Sequence, residues 1–191
     1  LPVLVFRKNH PFYAMLRCRY VFVGEKGYEF PAVMPHAAIA HAYALAATRD
    51  EALAMMMSPQ FDPKRTAVLE RPPALEPAPP TGPEEATVTE EGTDSLLIRA
   101  RLTSPGILVV TDSYSSGWRA WEDGASGAQY EVVPADHTLR AISLPAGEHR
   151  IRMAYRPRAF QVGLWVTGIS LAVYLVLVGV WLRRRRRGRS A

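Results

Sequence analysis

From Phe160 to Leu182 the chain reads FQVGLWVTGISLAVYLVLVGVWL, with no charged residue anywhere in the run. As a helix rising 1.5 Å per residue, such a run is about 34 Å long, enough to cross a bilayer core of roughly 30 Å. A buried helix of a soluble protein competes poorly, because the run is this long and stops at five consecutive arginines, Arg183 to Arg187. Trp165 and Trp181 fall near its two ends, where amphipathic rings settle at headgroup level. Gly163, Gly168 and Gly179 do not form GxxxG, so no helix-dimer motif is indicated. Arg183, Arg184 and Arg185 complete the expected anchor. A cytoplasmic excess of Arg and Lys sets orientation, so the reading places the C-terminus in the cytoplasm and everything before Phe160 outside. Arginines 150, 152, 156 and 158 precede the span, but they read as part of a folded domain, which translocates largely regardless of charge.

The charge balance follows from the same tail. The chain has 23 Lys and Arg against 18 Asp and Glu, a formal net charge of +5. Six of the arginines sit in the last nine residues, and removing them leaves 17 cations against 18 anions. A general basic face for nucleic acid is therefore not indicated, and attraction of the tail to anionic lipid, about 1 kcal/mol per residue, accounts for it more simply. The 191 residues suffice for one globular domain with an appended segment. Cys18 is alone, so no intrachain disulfide forms. No charged-then-apolar signal peptide follows Leu1 although a span stands at the far end, so further sequence is expected upstream.

Residues 71–85, RPPALEPAPPTGPEE, read as a proline-rich linker or long loop, because prolines cannot donate to a sheet ladder. Beyond it the chain reads as short strands. Ser95 to Thr103 alternates, with Leu96, Ile98, Ala100 and Leu102 on one face. Ile107 to Thr111 is continuously apolar, as in a sandwich core. Gly117 to Glu122 and Gln129 to Val133 read as a hairpin around Asp123-Gly124, and Thr138 to Leu144 and His149 to Tyr155 follow, the last with Ile151, Met153 and Tyr155 inward. Before the linker, Cys18 to Val23 and Ala38 to Ala46 are candidate strands. Thr48-Arg49-Asp50-Glu51 has the form of a capping box opening a short helix through Met57, which Ser58-Pro59 ends. The Met55-Met56-Met57 run reads as core packing. The fold class is thus mainly β: an antiparallel β-sandwich-like extracytoplasmic domain with a short helix, then one C-terminal transmembrane helix. Its parts are a mixed strand and helix segment at 1–70, the linker at 71–85, the sandwich at 86–158, the span at 159–182 and an arginine-rich cytoplasmic tail at 183–191.

The chemistry-bearing motifs are few. The five histidines form no HExxH or similar pair, and no GxSxG, Walker A or GxGxxG occurs, so neither a metal nor another cofactor is implied and no catalytic residue is assigned. Asp112, Asp123 and Asp136 stand in turn-rich settings that favour hydrogen-bonding roles at strand ends over a convergent acid–base pair. Tyr114, Trp118 and Trp121 cluster on TDSYSSGWRAW, flanked by Asp112 and Asp123. These five residues are the candidate glycan contact, since aromatic rings stack on sugars; a packed core also uses such side chains.

ILVVTDSYSSGWRAWEDG, followed by LRAISLPAGEHRIRMAYRPRAFQVGLWVT, resembles the C-terminal end of the bacterial YfhO family of polytopic membrane proteins. RCRYVFV and PHAAIAHAYALAATRDEALAMMMSPQFDPKRTAVLE extend the resemblance over most of residues 15–175. Its specific parts are Asp112, Gly117, Trp118, Asp123 and Gly124, the Pro145-Ala146-Gly147 turn and the pair Tyr155 and Pro157. Ser115-Ser116 depart from the aromatic and proline that relatives often have there. The resemblance implies a protein similar to glycosyltransferases that use lipid-linked sugar donors at the outer membrane face. Their catalytic carboxylate lies in a multispanning core that would precede these residues, so this part is expected to be non-catalytic. Implied partners are the lipid bilayer, that core, and a lipid-linked sugar or cell-envelope glycan. The competing reading is a single-span cell-surface protein, glycan-binding or structural.

Overall fold

The computed structural model describes residues 11–30, 33–124 and 127–187. They fall into two units, a β-rich one ending at Tyr155 and a helical one beginning at Arg156. The first opens with helix α1 (Pro11–Met15) and a hairpin of β1 (Tyr20–Val23) and β2 (Lys26–Glu29). Gly24 takes φ 60° in that tight turn, a left-handed conformation that glycine adopts without a Cβ penalty. Next come β3 (Ala37–Ala40), β4 (Ala42–Leu45), α2 (Arg49–Met56) and β5 (Thr66–Leu69). The remainder of this unit is built on β6 (Glu85–Glu91), β7 (Ser95–Leu102), β8 (Gly106–Ser113), β9 (Trp118–Glu122), β10 (Gln129–Tyr130), β11 (Val133–Ala135), β12 (Leu139–Leu144) and β13 (Gly147–Tyr155).

Helix α2 starts where the sequence pattern puts it. Thr48 Oγ1 accepts from the Glu51 amide at 3.2 Å, and the Glu51 carboxylate accepts from the Ala47 amide at 2.7 Å, so two otherwise orphaned donors are satisfied. Met56 is buried and Met55 packs partly against the same core, while Met57 is exposed just past the helix end.

Two sheets form the body of the unit, a five-stranded one in the order β10-β9-β13-β7-β6 and a six-stranded one in the order β3-β8-β12-β11-β5-β4. Every pairing is antiparallel except β4 with β5, which are parallel and joined through α2. Between the sheets pack Ile98 and Leu102 of β7, Leu108 and Val110 of β8, Ile142 and Leu144 of β12, and Ile151 and Met153 of β13. The other face of the six-stranded sheet carries Ile107, Val109, Leu139 and Ala141, which cluster with Met15 of α1 and with Ala52 and Met56 of α2. The sandwich is therefore covered on one side by helices, and β8 is apolar without alternation because both of its faces are buried.

Pairing departs from sequence order in three places. The stretch 38–46 divides at His41, because β3 pairs with β8 whereas β4 pairs with β5. The stretch 129–133 also divides: Gln129 and Tyr130 extend the hairpin with β9, and Val133 already belongs to the other sheet. Strands β12 and β13 are consecutive but do not pair; the Pro145-Ala146 connection carries the chain from one sheet to the other. Tyr155 shares the inward face of β13 but, at the strand end, is 39 % exposed rather than buried.

The proline-rich stretch lies against the sandwich as a hydrogen-bonded strap. The Ala78 amide donates to the Pro105 carbonyl at 2.9 Å, the Thr81 amide to Thr103 Oγ1 at 3.0 Å, and Ser104 Oγ to the Ala78 and Pro79 carbonyls. Glu84 closes it, accepting from the Thr103 amide and hydroxyl at 2.7 Å each and bonding His41. Prolines remove donors but leave carbonyls, and the residues around Thr103 are arranged to meet those that remain.

The second unit is one helix, α3 (Arg158–Arg187). Its stretch Arg158–Trp181 is long and apolar enough to cross a membrane, and none of it is buried within the protein. Trp165 and Trp181 are both exposed on it. Arg183 lies in the final turns; residues 188–191 of the expected tail, and the side chains of Arg184 and Arg185, lie outside the described residues.

Ile142 is fully buried between the sheets. Ile142→Ala is expected to cost about 2–5 kcal/mol. Urea unfolding followed by tryptophan fluorescence reads this as a lowered midpoint with an unchanged slope.

Candidate functional site

At one end of the sandwich, where β8, β9, β12 and β13 and the β6–β7 turn converge, a cleft of about 470 Å³ opens. Its wall is built around Arg140. In β12 this arginine has the same parity as Ile142 and Leu144, so its side chain points between the sheets, where it is 1 % exposed. A buried guanidinium needs a counter-charge, and Asp112 supplies it, with Nη2 donating to Oδ2 at 2.6 Å. The backbone makes that contact available. Pairing of β12 with β8 shifts from Arg140↔Val110 to Leu139↔Ser113, so Thr111 and Asp112 are accommodated in a bulge beside Arg140. His36 Nε2 lies 2.8 Å from the same Asp112 oxygen and donates to it, while its Nδ1 is 3.7 Å from Glu91.

The far side of the guanidinium is aromatic. Arg140 Cζ lies 3.6 Å from the Trp118 ring centroid, a cation–π stack that links β12 of one sheet to β9 of the other. Trp118 in turn stands opposite Tyr155 in the β9–β13 register, the two rings 5.6 Å apart and tilted by 53°. Gly117 allows this: a Cβ there would come within 2.5 Å of the Tyr155 ring. Burial lowers the Arg140 pKa from its ordinary value, and the charge and hydrogen bond of Asp112 oppose that fall. Nε and Nη1 of Arg140 have no hydrogen-bond acceptor among the described residues.

Of the five candidate glycan contacts, three meet here. Asp112, Tyr114 and Trp118 line the cleft, joined by Arg140 and Tyr155 from distant parts of the sequence. Trp121 and Asp123 do not. Three positions beyond Trp118 on a strand, Trp121 points to the opposite face, where it pairs in register with Arg152. Asp123 is bound up with Arg150 at 3.0 Å and Arg152 at 3.2 Å, and the Arg152 hydrogen bond holds its carboxyl below the ordinary range. Arg140, Tyr155 and His36 are the residues that sequence reasoning missed. For Arg140 a signal existed, an arginine in phase with Ile142 and Leu144; for His36, 76 residues from Asp112, none did.

Asp136 completes the comparison of the three aspartates, and it lies elsewhere, at the β11–β12 turn. Asp136 and His137 take φ of 48° and 66°, successive left-handed conformations that Asp tolerates better than most residues. The Asp136 amide donates to the Val68 carbonyl and its Oδ1 accepts from the Val68 amide, both at 2.7 Å, so one residue supplies both halves of a ladder contact to β5. Its Oδ2, like His137 Nδ1, is buried without a partner among the described residues, beside a 140 Å³ apolar cavity lined by Phe12, Met15, Leu53 and Met56. Asp112, Asp123 and Asp136 thus have separate partners and settings, which removes the convergent acid–base arrangement. Among the described residues no group of three His, Cys, Asp or Glu side chains is placed to hold a metal ion.

In comparisons with known proteins, no family model, no curated protein and no solved structure matches this chain.

Burial pushes the Asp136 carboxyl up to about 7 from 3.8, so the folded state keeps a proton that the unfolded chain releases. The stability this represents is complete below pH 3.8 and is lost as pH rises to about 7, up to about 4 kcal/mol at roughly 1.4 kcal/mol per unit. Glu84 and Glu122, held below their ordinary values, contribute with the opposite sign and only toward acid. Asp136→Asn keeps the acceptor and the left-handed backbone without the charge. Its urea midpoint is expected to lose the decline that the parent protein shows between pH 5 and 7.5.

Proposed function

We propose that this chain is a membrane-tethered, non-catalytic extracytoplasmic module that holds glycan. In the leading form of the proposal it is the C-terminal module and last transmembrane helix of a polytopic protein of the YfhO kind, one that works with lipid-linked sugars. The observation that carries the reading is the cleft. Sugar recognition needs aromatic faces for the C–H surfaces and fixed polar groups for the hydroxyls. Trp118, Tyr155 and Tyr114 stand there beside Asp112, and the Arg140 stack fixes the Trp118 ring in advance. The apolar helix followed by Arg183 supports the tether and the cytoplasmic side of the tail.

A second reading, a single-span cell-surface glycan-binding protein, is favoured by the β unit having complete cores of its own. Coding sequence upstream of Leu1 separates the two: many apolar spans with an acidic outer loop support the first, a signal peptide alone the second.

Binding of oligosaccharides from the cell envelope to the full chain in detergent micelles, followed by calorimetry, tests the cleft. Trp118→Ala is expected to weaken binding by about tenfold or more, the value of a lost stacking contact, whereas Trp121→Ala leaves it unchanged. Equal losses in both variants would sink the assignment. Sidedness has its own test. Lys64 is exposed on the β unit, so Lys64→Cys in a Cys18→Ser background is expected to react with a membrane-impermeant maleimide in intact cells. Labelling only after lysis would place the unit inside.

A further inference from the structure

The charges around the cleft do not balance, and this narrows what it holds. Glu91, Asp94 and Asp112 contribute three carboxylates to its lining, against one guanidinium, Arg140. That guanidinium is already committed: Asp112 neutralises it at 2.6 Å, and it lies stacked under Trp118. Glu91 and Asp94 are left. Among the described residues no lysine or arginine pairs with either, and Glu91 has only His36 at 3.7 Å. The same cleft presents Tyr114, Trp118 and Tyr155, whose ring faces are attractive to cations, and Trp118 already carries one. Arg140 adds an independent sign of an oxygen-bearing ligand: it lies in the cleft wall, 1 % exposed, with two nitrogens, Nε and Nη1, that no acceptor among the described residues meets.

We propose that the cleft selects a glycan bearing a free amine, a cationic amino sugar, over neutral and anionic sugars. The inference rests on the glycan-holding reading above and adds the class of sugar. The ammonium group meets Glu91 or Asp94 and the tyrosine faces, while the sugar ring stacks on the aromatic wall. An acidic sugar would meet the carboxylates of Glu91 and Asp94 at the rim and be repelled.

The test uses a matched pair of probes, a β-1,4-linked glucosamine oligomer and its fully N-acetylated counterpart, which share a backbone and differ in charge. Titrated calorimetrically into the full chain in detergent micelles, the amine form is expected to bind about tenfold more tightly, a margin that falls with added salt. The double variant Glu91→Gln, Asp94→Asn is expected to abolish the margin while still binding the acetylated oligomer. Glu148→Gln, an exposed carboxylate away from this cleft, leaves the margin intact. Equal affinity for the two probes overturns the amine preference and leaves glycan binding standing. Absence of binding by both probes and by neutral envelope oligosaccharides overturns the glycan reading and this inference with it. A margin that persists in the double variant assigns it to non-specific charge and overturns the site.

Discussion

One buried guanidinium organises the end of the molecule where the two sheets come closest to carrying chemistry. Arg140 sits between the sheets with almost no solvent contact, and a cation in that position is stable only with a counter-ion and favourable neighbours. Asp112 and Trp118 supply these, one from each sheet. The arrangement explains several local features together. The β8 bulge places Asp112 within reach, His36 donates to the same carboxylate oxygen, and Gly117 leaves room for Tyr155 to lie against Trp118.

The cost of such a pair is fixed by its parts rather than by its sum. An apolar residue at position 140 would fill the space without desolvating a charge, whereas removing Asp112 alone would strand a buried cation at about 3–5 kcal/mol. What the charged version provides is geometry. A Trp118 ring held on its inner face by a guanidinium has little rotamer freedom left, so a ligand that stacks on the cleft does not have to order it. The strand-end location matters as well: further along β13, Ile151 and Met153 of the same face are sealed in the core, and only Tyr155 is half open.

The sequence carried the strands more legibly than their partners. Period-two alternation places β7 and the inward residues of β13, and an unbroken apolar run identifies β8 as buried on both faces, because these patterns report what each strand touches. Sheet membership is a long-range property: β12 and β13 are joined by a short turn yet lie in different sheets. The site shows the same division. Asp112, Tyr114 and Trp118 were legible as a cluster, and strand parity alone would have separated Trp121 from Trp118. The parity of Arg140 with Ile142 and Leu144 marks it as inward-facing, but its partner Asp112, 28 residues away, and the 76-residue contact of His36 are long-range properties that single-sequence patterns do not report. For the proline-rich stretch, composition reports the missing donors, while the way it is held against the sandwich depends on acceptors and donors near Thr103.

Two buried ionisable groups lie close together in the chain, at positions 136 and 140, and the fold treats them in opposite ways. Arg140 is given a carboxylate and an aromatic face, both of which favour its charged form. Asp136 receives one backbone hydrogen bond and an apolar cavity, with no cation among the described residues, and the proton becomes its means of avoiding a buried charge. The consequence is a division of labour between the two faces of the six-stranded sheet. The inter-sheet face, which carries the cleft, holds its buried charge by pairing it with a carboxylate and an aromatic ring. The helix-covered face is held in part by a carboxyl whose ionisation loosens the β5–β11 edge against α1 and α2.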